Sequence, residues 1–599
     1  MTLADIEFTL KGLRKAYAAG ATVSNILDEA LRRATEPGFP HVWTTLLSRD
    51  QIQAFVERLD PAKRATLPLF GVPFAIKDSI DLAGVPTTLA CREFAYTPGR
   101  SATVVDRLVA AGAIPLGKAN LDQFATGLVG TRSAYGICQS VFDSRYISGG
   151  SSSGSAVAVA AGMVPFALGT DTAGSGRVPA AFNHVVGLKP TRGVISTTGL
   201  FPACRTLDCI SIFAGSCADV VTVLDVAVAP DETNPYSRTA RPRCFPVEFR
   251  FGVPAPDLLQ FFGDTEAEVL YAEAVARLEG LGGKRVQFDF MPFRDAAALL
   301  YAGPWVAERR HALGDFFVKH GAAMDPTVRE IIAEGEKYDA VSTFDGIYRL
   351  QAAAAAAQRE WRKMDLMLLP TTGTTRTIAE IATDPIRLNS ELGYYTNFAN
   401  LLDLTALAVP AGFRTENGLP FGVTLLGPAF TDAALLAMGD RLHKALGGTI
   451  GVTSAKIEDQ PDVAMPNDEI QLAVVGAHLA GQPLNYQLTR RGARLIRSTK
   501  TSGNYRLFAL ANTNPPKPGL VRTNEVVGDG IAIEVWALSP KAFGHFVAEV
   551  PAPMTIGSAQ LADGSIVKSF LCESGALDGA REITHFGGWL AFLAANSKA

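Results

Sequence analysis

"GGSSSGSAVAVAAGMVPFALGTDTAGSGRVPAAF", residues 149–182, opens on serines set among glycines and closes on a second glycine–serine turn. Between them runs Ala156–Gly169, apolar but punctuated by glycine and proline, and shorter than the about 20 apolar residues that cross a bilayer. This composition predicts a buried helix of small residues feeding a buried strand. The same alternation continues on both sides. Short apolar runs ("LFGVPFAIKD", "AIPLGKAN", "FALGTDT") take turns with helical stretches ("TVVDRLVAAG", "SAVAVAAGM"), which is the α/β rhythm of a sheet with helices on its faces.

At 599 residues the chain exceeds one core, since single domains stop growing near roughly 250–300 residues. The clearest break is "VTSAKIEDQPDVAMPNDE", polar, proline-bearing and without periodicity. The expected organisation is therefore a large domain over 1–451, a linker at 452–469 and a smaller domain over 470–599. In the last, "IQLAVVGAHL", "YRLFALA", "GIAIEVWAL" and "SIVKSFLCE" have strand composition. The Pro-rich segment 229–246 reads as a surface excursion or a loop between two halves of the large domain. With 48% hydrophobic and 19% charged residues and a net charge of −4, the chain is an ordinary folded protein, and nothing in it asks for nucleic acid or anionic lipid. Seven scattered cysteines, no CxxC pair and no leader-like opening point to a reducing cytoplasm.

The serines raise the question of a nucleophile. Gly150–Gly154 fits the glycine-x-serine-x-glycine elbow and would nominate Ser152. Yet "YGICQSVFDSRY" before it is too polar and broken for the strand that should lead into an elbow, and no HGGG-type motif lies upstream.

The stretch 149–182 instead resembles the signature segment of the amidase signature family, whose catalytic unit is Ser-Ser-Lys. "GVPFAIKDSIDLAGVPTT" (71–88), "GKANLDQFATG" (117–127), "DLMLLPT" (365–371) and "GLPFGVTLLGPAFTD" (418–432) extend the resemblance over roughly 20–445. It implies a central mixed β-sheet covered by helices, with Ser175 as nucleophile, Ser151 as bridging serine and Lys77 as base. It also implies an oxyanion hole from the backbone N–H groups of Thr172, Ala173, Gly174 and Ser175. The chemistry agrees. A lysine of ordinary pKa about 10.4 acts as a base only when burial strips its proton, and "GVPFAI" supplies an apolar strand before Lys77. Family members commonly carry two glycines before the nucleophile; here Ala173 replaces the first, which reads as a change in pocket shape. Asp171 and Arg177 are expected to pair and hold the loop, and Asp208 to be structural.

"LLYAGPWVAERRHALGDFF" (299–317) resembles the substrate-recognition helix of the allophanate hydrolase branch, which implies Tyr301 and Arg309 as substrate ligands. Eight residues are about two helical turns, so both side chains are expected near one face. An arginine fork suits the planar carboxylate of allophanate. "AVVGAHLAGQPLNYQL" (473–488) resembles the start of that branch's C-terminal domain, a small β-rich module similar to γ-glutamylcyclotransferases. It implies a second step, breakdown of N-carboxycarbamate, with His478 as its functional side chain, and Glu549 lies about where cyclotransferases carry an acid/base carboxylate. A role in dimer contacts, or as a regulatory binding module, stays open. The competing activities are those of a general small-amide amidase and of an amidotransferase subunit. The resemblance implies no metal and no cofactor, a homodimer, and coupling to a urea carboxylase or biuret hydrolase on another chain, since no Gly-Lys-Ser/Thr loop and no biotin motif occurs.

Overall fold

A computed structural model describes residues 6–240, 243–246, 248–465 and 469–596. The chain divides into two compact units that part between residues 466 and 467. Residues 452–465, expected as a linker, belong with the first unit. Ala455 (2% exposed) and Ile457 (0%) bury their apolar side chains, and Ala455 O accepts from Ile450 N at 2.9 Å.

The first unit is built on eleven strands: β1 (Trp43–Leu46), β2 (Pro73–Lys77), β3 (Ile114–Ala119), β4 (Phe166–Asp171), β5 (Val186–Lys189), β6 (Cys209–Ala214), β7 (Arg250–Pro254), β8 (Lys284–Phe288), β9 (Leu366–Pro370), β10 (Leu404–Phe413) and β11 (Pro420–Pro428). They form one sheet in the order β1-β3-β2-β4-β6-β5-β10-β11-β9-β7-β8. It is mixed: β2 runs parallel to β3 and β4, and β7 to β8 and β9, while β4–β6, β5–β6, β5–β10, β10–β11 and β9–β11 are antiparallel.

The helix Ser153–Ala160 follows the serine run as expected, and every residue in it is buried. Its small side chains let it lie close to neighbouring backbone. A Cβ on Gly154 would stand 2.2 Å from the Val42 carbonyl oxygen, so glycine is required there. β2 and β4, all buried, pair in register Phe74↔Phe166 with stacked rings 5.1 Å apart. Each such fully buried ring contributes about 1.5–3 kcal/mol. Because these strands are parallel neighbours, Lys77 and Thr170–Asp171 emerge at the same end of the sheet, where α/β proteins place their sites.

The second unit holds a five-stranded sheet, β13-β16-β12-β18-β17, from β12 (Ile470–Val474), β13 (Arg494–Lys500), β16 (Ala532–Leu538), β17 (Met554–Gln560) and β18 (Ile566–Cys572). β14 (Tyr505–Ala509), β15 (Pro518–Arg522) and β19 (Arg581–Glu582) make a three-stranded one. All four strands read from composition are present, around a separate core that includes Leu472, Val535, Trp536 and Phe570. Among the described residues no helix is long and apolar enough to cross a membrane.

Candidate active site

Three segments far apart in sequence meet at one lysine. Lys77, at the end of β2, is 0% exposed. Its Nζ lies 2.7 Å from Ser151 Oγ, 2.7 Å from Thr170 Oγ1 and 3.0 Å from Ser152 Oγ. Ser151 Oγ in turn lies 2.9 Å from Ser175 Oγ. The Gly150–Ser151 peptide is cis. Burial brings the Lys77 pKa down to about 7, against the opposing pull of Asp122, Asp171 and Asp208; the positive charge of Arg309 adds to the lowering.

A neutral lysine has two N–H donors and one lone pair. Ser152 Oγ donates to Thr170 O at 3.1 Å and so can only accept from Nζ. Thr170 Oγ1 can take the second N–H, leaving the lone pair for Ser151. The arrangement can carry a proton from Ser175 through Ser151 to Lys77, the chemistry that acyl transfer by a serine with a lysine base needs.

The nucleophile turn is held from beneath. Arg177 Nε and Nη2 donate to Asp171 at 2.8 and 3.0 Å, both side chains being fully buried. This is the pairing expected of Asp171 and Arg177. Asp171 also accepts from Gly174 N at 2.9 Å and Gly176 N at 3.1 Å. The expected oxyanion hole is corrected accordingly: the Gly174 N–H is spent on satisfying the buried carboxylate. Among the described residues the N–H groups of Thr172, Ala173 and Ser175 meet no acceptor in the chain and remain for a substrate oxygen. Gly174 itself has φ +138°, and a Cβ there would sit 2.5 Å from Thr396 Oγ1, so glycine is obligatory at this position while Ala173 is tolerated before it. Asp208 accepts from Thr172 Oγ1, Cys204 N and Ala203 N, a structural role. Burial pushes its pKa up to about 6.

Tyr301 and Arg309 do not share a helix. The helix spans Trp305–His320, and Tyr301 sits in the turn before it. Pro304, with no N–H, caps a new helix rather than continuing an old one. The two side chains still meet, with the guanidinium 5.4 Å from the Tyr301 ring centre. Arg309 is 2% exposed. Its Nη1 donates to Ala125 O at 3.2 Å and Thr126 Oγ1 at 3.1 Å. Its Nε and Nη2 are buried with no partner. A buried cation with two idle donor nitrogens can take an anion. Tyr301 and Trp305 pack against the cluster containing Ala173, next to the nucleophile turn.

Sequence reasoning missed Thr170, the Ser152–Lys77 contact and Asp122. Asp122, fully buried, accepts from Val129 N, Gly130 N and Arg132 N, and its own N–H donates to Ser151 O at 3.1 Å. The loop it organises also presents Ala125 O to Arg309. Period-two alternation along β4, with Asp171 facing one way, would have put Thr170 on the other face.

In the second unit His478 and Glu549 line one cavity of about 190 Å³, with Gln487, Lys517, Phe546 and Phe570. His478 Nε2 pairs with Gln487 Oε1 at 2.9 Å, its ring stacks on Phe570 at 4.9 Å, and burial lowers its pKa, keeping it neutral. Glu549 is held ionised by Arg491 and Arg490, so it enters this cavity as a carboxylate.

A Ser-Ser-Lys cluster at one end of the inner strands of a mixed sheet is the arrangement of an amidase, and the chain belongs to that family: residues 43–436 match the Amidase family and 470–594 the Allophanate hydrolase C-terminal domain. More particularly, it is 44% identical to the urea amidolyase of Lachancea kluyveri over 93% of this chain and 31% of that one, so it spans about a third of that relative's length. The crystal structure of Kluyveromyces lactis allophanate hydrolase superposes with a TM-score of 0.77 at 40% identity, covering 98% of this chain and 99% of that chain. A glutamyl-tRNA(Gln) amidotransferase component from Symbiobacterium thermophilum is 35% identical over 71% of this chain and 94% of its own.

Proposed function

We propose that the chain is an allophanate hydrolase. Ser175 Oγ attacks the carbamoyl carbon while its proton passes through Ser151 to Lys77. The tetrahedral oxyanion sits on the N–H groups of Thr172, Ala173 and Ser175. Lys77 returns the proton through Ser151 to the departing nitrogen, which leaves as ammonia, and Ser175 holds the N-carboxycarbamoyl group. A water then enters where ammonia left, gives its proton to the same relay and releases N-carboxycarbamate. The substrate carboxylate pairs with Arg309 Nε and Nη2, and Tyr301 packs beside it.

N-carboxycarbamate then breaks down to carbon dioxide and a second ammonia. We assign promotion of this step to the second unit, with neutral His478 facing its cavity and Glu549 a positioning carboxylate at the rim. The chain works as a cytoplasmic homodimer, supplied with allophanate by a urea carboxylase or a biuret hydrolase.

The observation that carries the reading is Arg309, buried beside the relay with two unpartnered N–H groups. The amidotransferase relative spans 71% of this chain, whereas residues 470–594 match the Allophanate hydrolase C-terminal domain, which favours the allophanate reading. The test offers the purified protein allophanate, biuret, malonamide and glutamine and counts ammonia. Allophanate is preferred and yields two ammonia per molecule; equal rates on all four, or preference for glutamine, reject the proposal.

A further inference from the structure

The helix Ala340–Trp361 has one face buried and one that nothing in the unit covers. Gly346, Ala353, Ala357 and Trp361 are buried, with Gly346 admitting the Pro304 ring so closely that a Cβ would stand 2.4 Å from it. On the other side Val341 (78% exposed), Phe344 (57%) and Tyr348 (67%) face solvent, with Ile347 (37%) at their margin. At 3.6 residues per turn, Val341, Phe344, Tyr348, Ala352 and Ala355 fall within about 80° of one another around the helix axis. The stripe is bulky in its first half and small in its second. The Phe344 and Tyr348 rings stand 6.2 Å apart. Contiguous exposed apolar side chains of this size mark an interaction surface.

We infer that this face is the contact between two copies of the chain, formed by the helix Ala340–Trp361 pairing antiparallel with itself about a two-fold axis at Tyr348. This rests on the homodimer proposed above and adds the surface and its geometry. In that pairing Phe344 lies over Ala352 of the partner subunit, Val341 over the partner's Ala355, and the two Tyr348 rings meet on the axis. Bulky side chains thus fill the hollows left by small ones. A parallel pairing would set rings against rings and leave the alanines facing one another across a gap.

The charges select the same arrangement. Asp345 and Arg349 are exposed on one flank of the stripe, and among the described residues neither makes an ion pair. Antiparallel helices bring like-named flanks together. Each Asp345 then faces the partner's Arg349, twice by symmetry. In a parallel pair both would face the flank of Ile347. Such self-complementarity is what an isologous interface demands, and it fits a second copy better than an unrelated protein.

The experiment is sedimentation velocity on the full chain at several concentrations. The wild type sediments as a dimer. Phe344→Glu, at an exposed position, raises the dissociation constant by about thirtyfold or more, the effect of losing a central aromatic anchor, with the melting temperature of the amidase unit kept. Asp345→Arg weakens the dimer, and the swap Asp345→Arg with Arg349→Asp restores it. A monomeric wild type overturns the homodimer and the surface together. A dimer indifferent to Phe344→Glu overturns the surface alone, and failure of the swap to restore association overturns the antiparallel pairing.

Discussion

Replacing Arg309 by methionine keeps the length and apolar bulk of the stem and removes the charge. The two N–H groups left idle in the structure each stand to make a charge-assisted hydrogen bond to the substrate carboxylate. Such bonds contribute about 1.5–3 kcal/mol apiece, so about 3–6 kcal/mol is lost together. At 1.4 kcal/mol per factor of ten, kcat/KM for allophanate falls by about two to four orders of magnitude. Malonamide, which has no carboxylate, is the internal control, because it registers any disturbance from losing the bonds to Ala125 O and Thr126 Oγ1. On the alkaline plateau its kcat/KM changes by less than about threefold. A second readout comes from Lys77, whose proton affinity the Arg309 charge helps to lower. Without that charge the lysine pKa rises, and since only the neutral amine accepts a proton, the acid limb of the malonamide profile moves to higher pH. Steady-state ammonia release on both substrates between pH 5.5 and 9 measures both effects. Equal losses on allophanate and malonamide would refute the recognition role.

In the wild type, kcat/KM for allophanate follows neutral Lys77: it is half-maximal near pH 7 and falls tenfold per unit below, so a profile flat down to pH 5 contradicts a lysine base. Ser151→Ala breaks the relay while leaving Ser175 in place; kcat drops by about a thousandfold or more with thermal stability unchanged, and residual turnover above a tenth denies Ser151 its role. Thr170→Val leaves a buried Lys77 N–H unsatisfied at a cost of about 1–3 kcal/mol, so kcat falls about ten- to a hundredfold at constant KM and Thr170→Ser restores it. His478→Ala spares the first ammonia and delays the second, as a time course with two phases; a single phase at the wild-type rate assigns the second unit a structural role.

The fold is legible wherever burial is uniform. The helix Ser153–Ala160 and β4 follow directly from a run with no polar interruption, and Lys77, Ser151 and Ser175 from motifs long enough to align without a structure. What escapes depends on hydrogen-bond accounting in three dimensions. Nothing in "DTAGSGR" says that the Gly174 N–H is taken by Asp171, because that follows from how many donors a buried carboxylate needs once Arg177 holds it. Thr170 and Ser152 look like strand and loop filler, yet by taking the two N–H groups they leave the lysine's lone pair for Ser151. Tyr301 and Arg309 do come together, but not along a shared helix: the helix carrying Arg309 begins only after Pro304, and Tyr301 reaches it from the preceding turn. The segment 452–465 looks like a linker because its polar residues outnumber the buried Ala455 and Ile457 that anchor it.

The complete enclosure of Lys77 couples two properties that an engineer would wish to vary separately. Its basicity near neutrality exists because water cannot reach Nζ. Widening the chamber to admit a bulkier amide would hydrate that nitrogen, restore its appetite for a proton and shift activity toward alkaline pH. Substrate breadth and performance at neutral pH are thus traded against each other along a single axis, and variants selected for larger amides should drift in their pH optimum even when no ionisable residue has been changed.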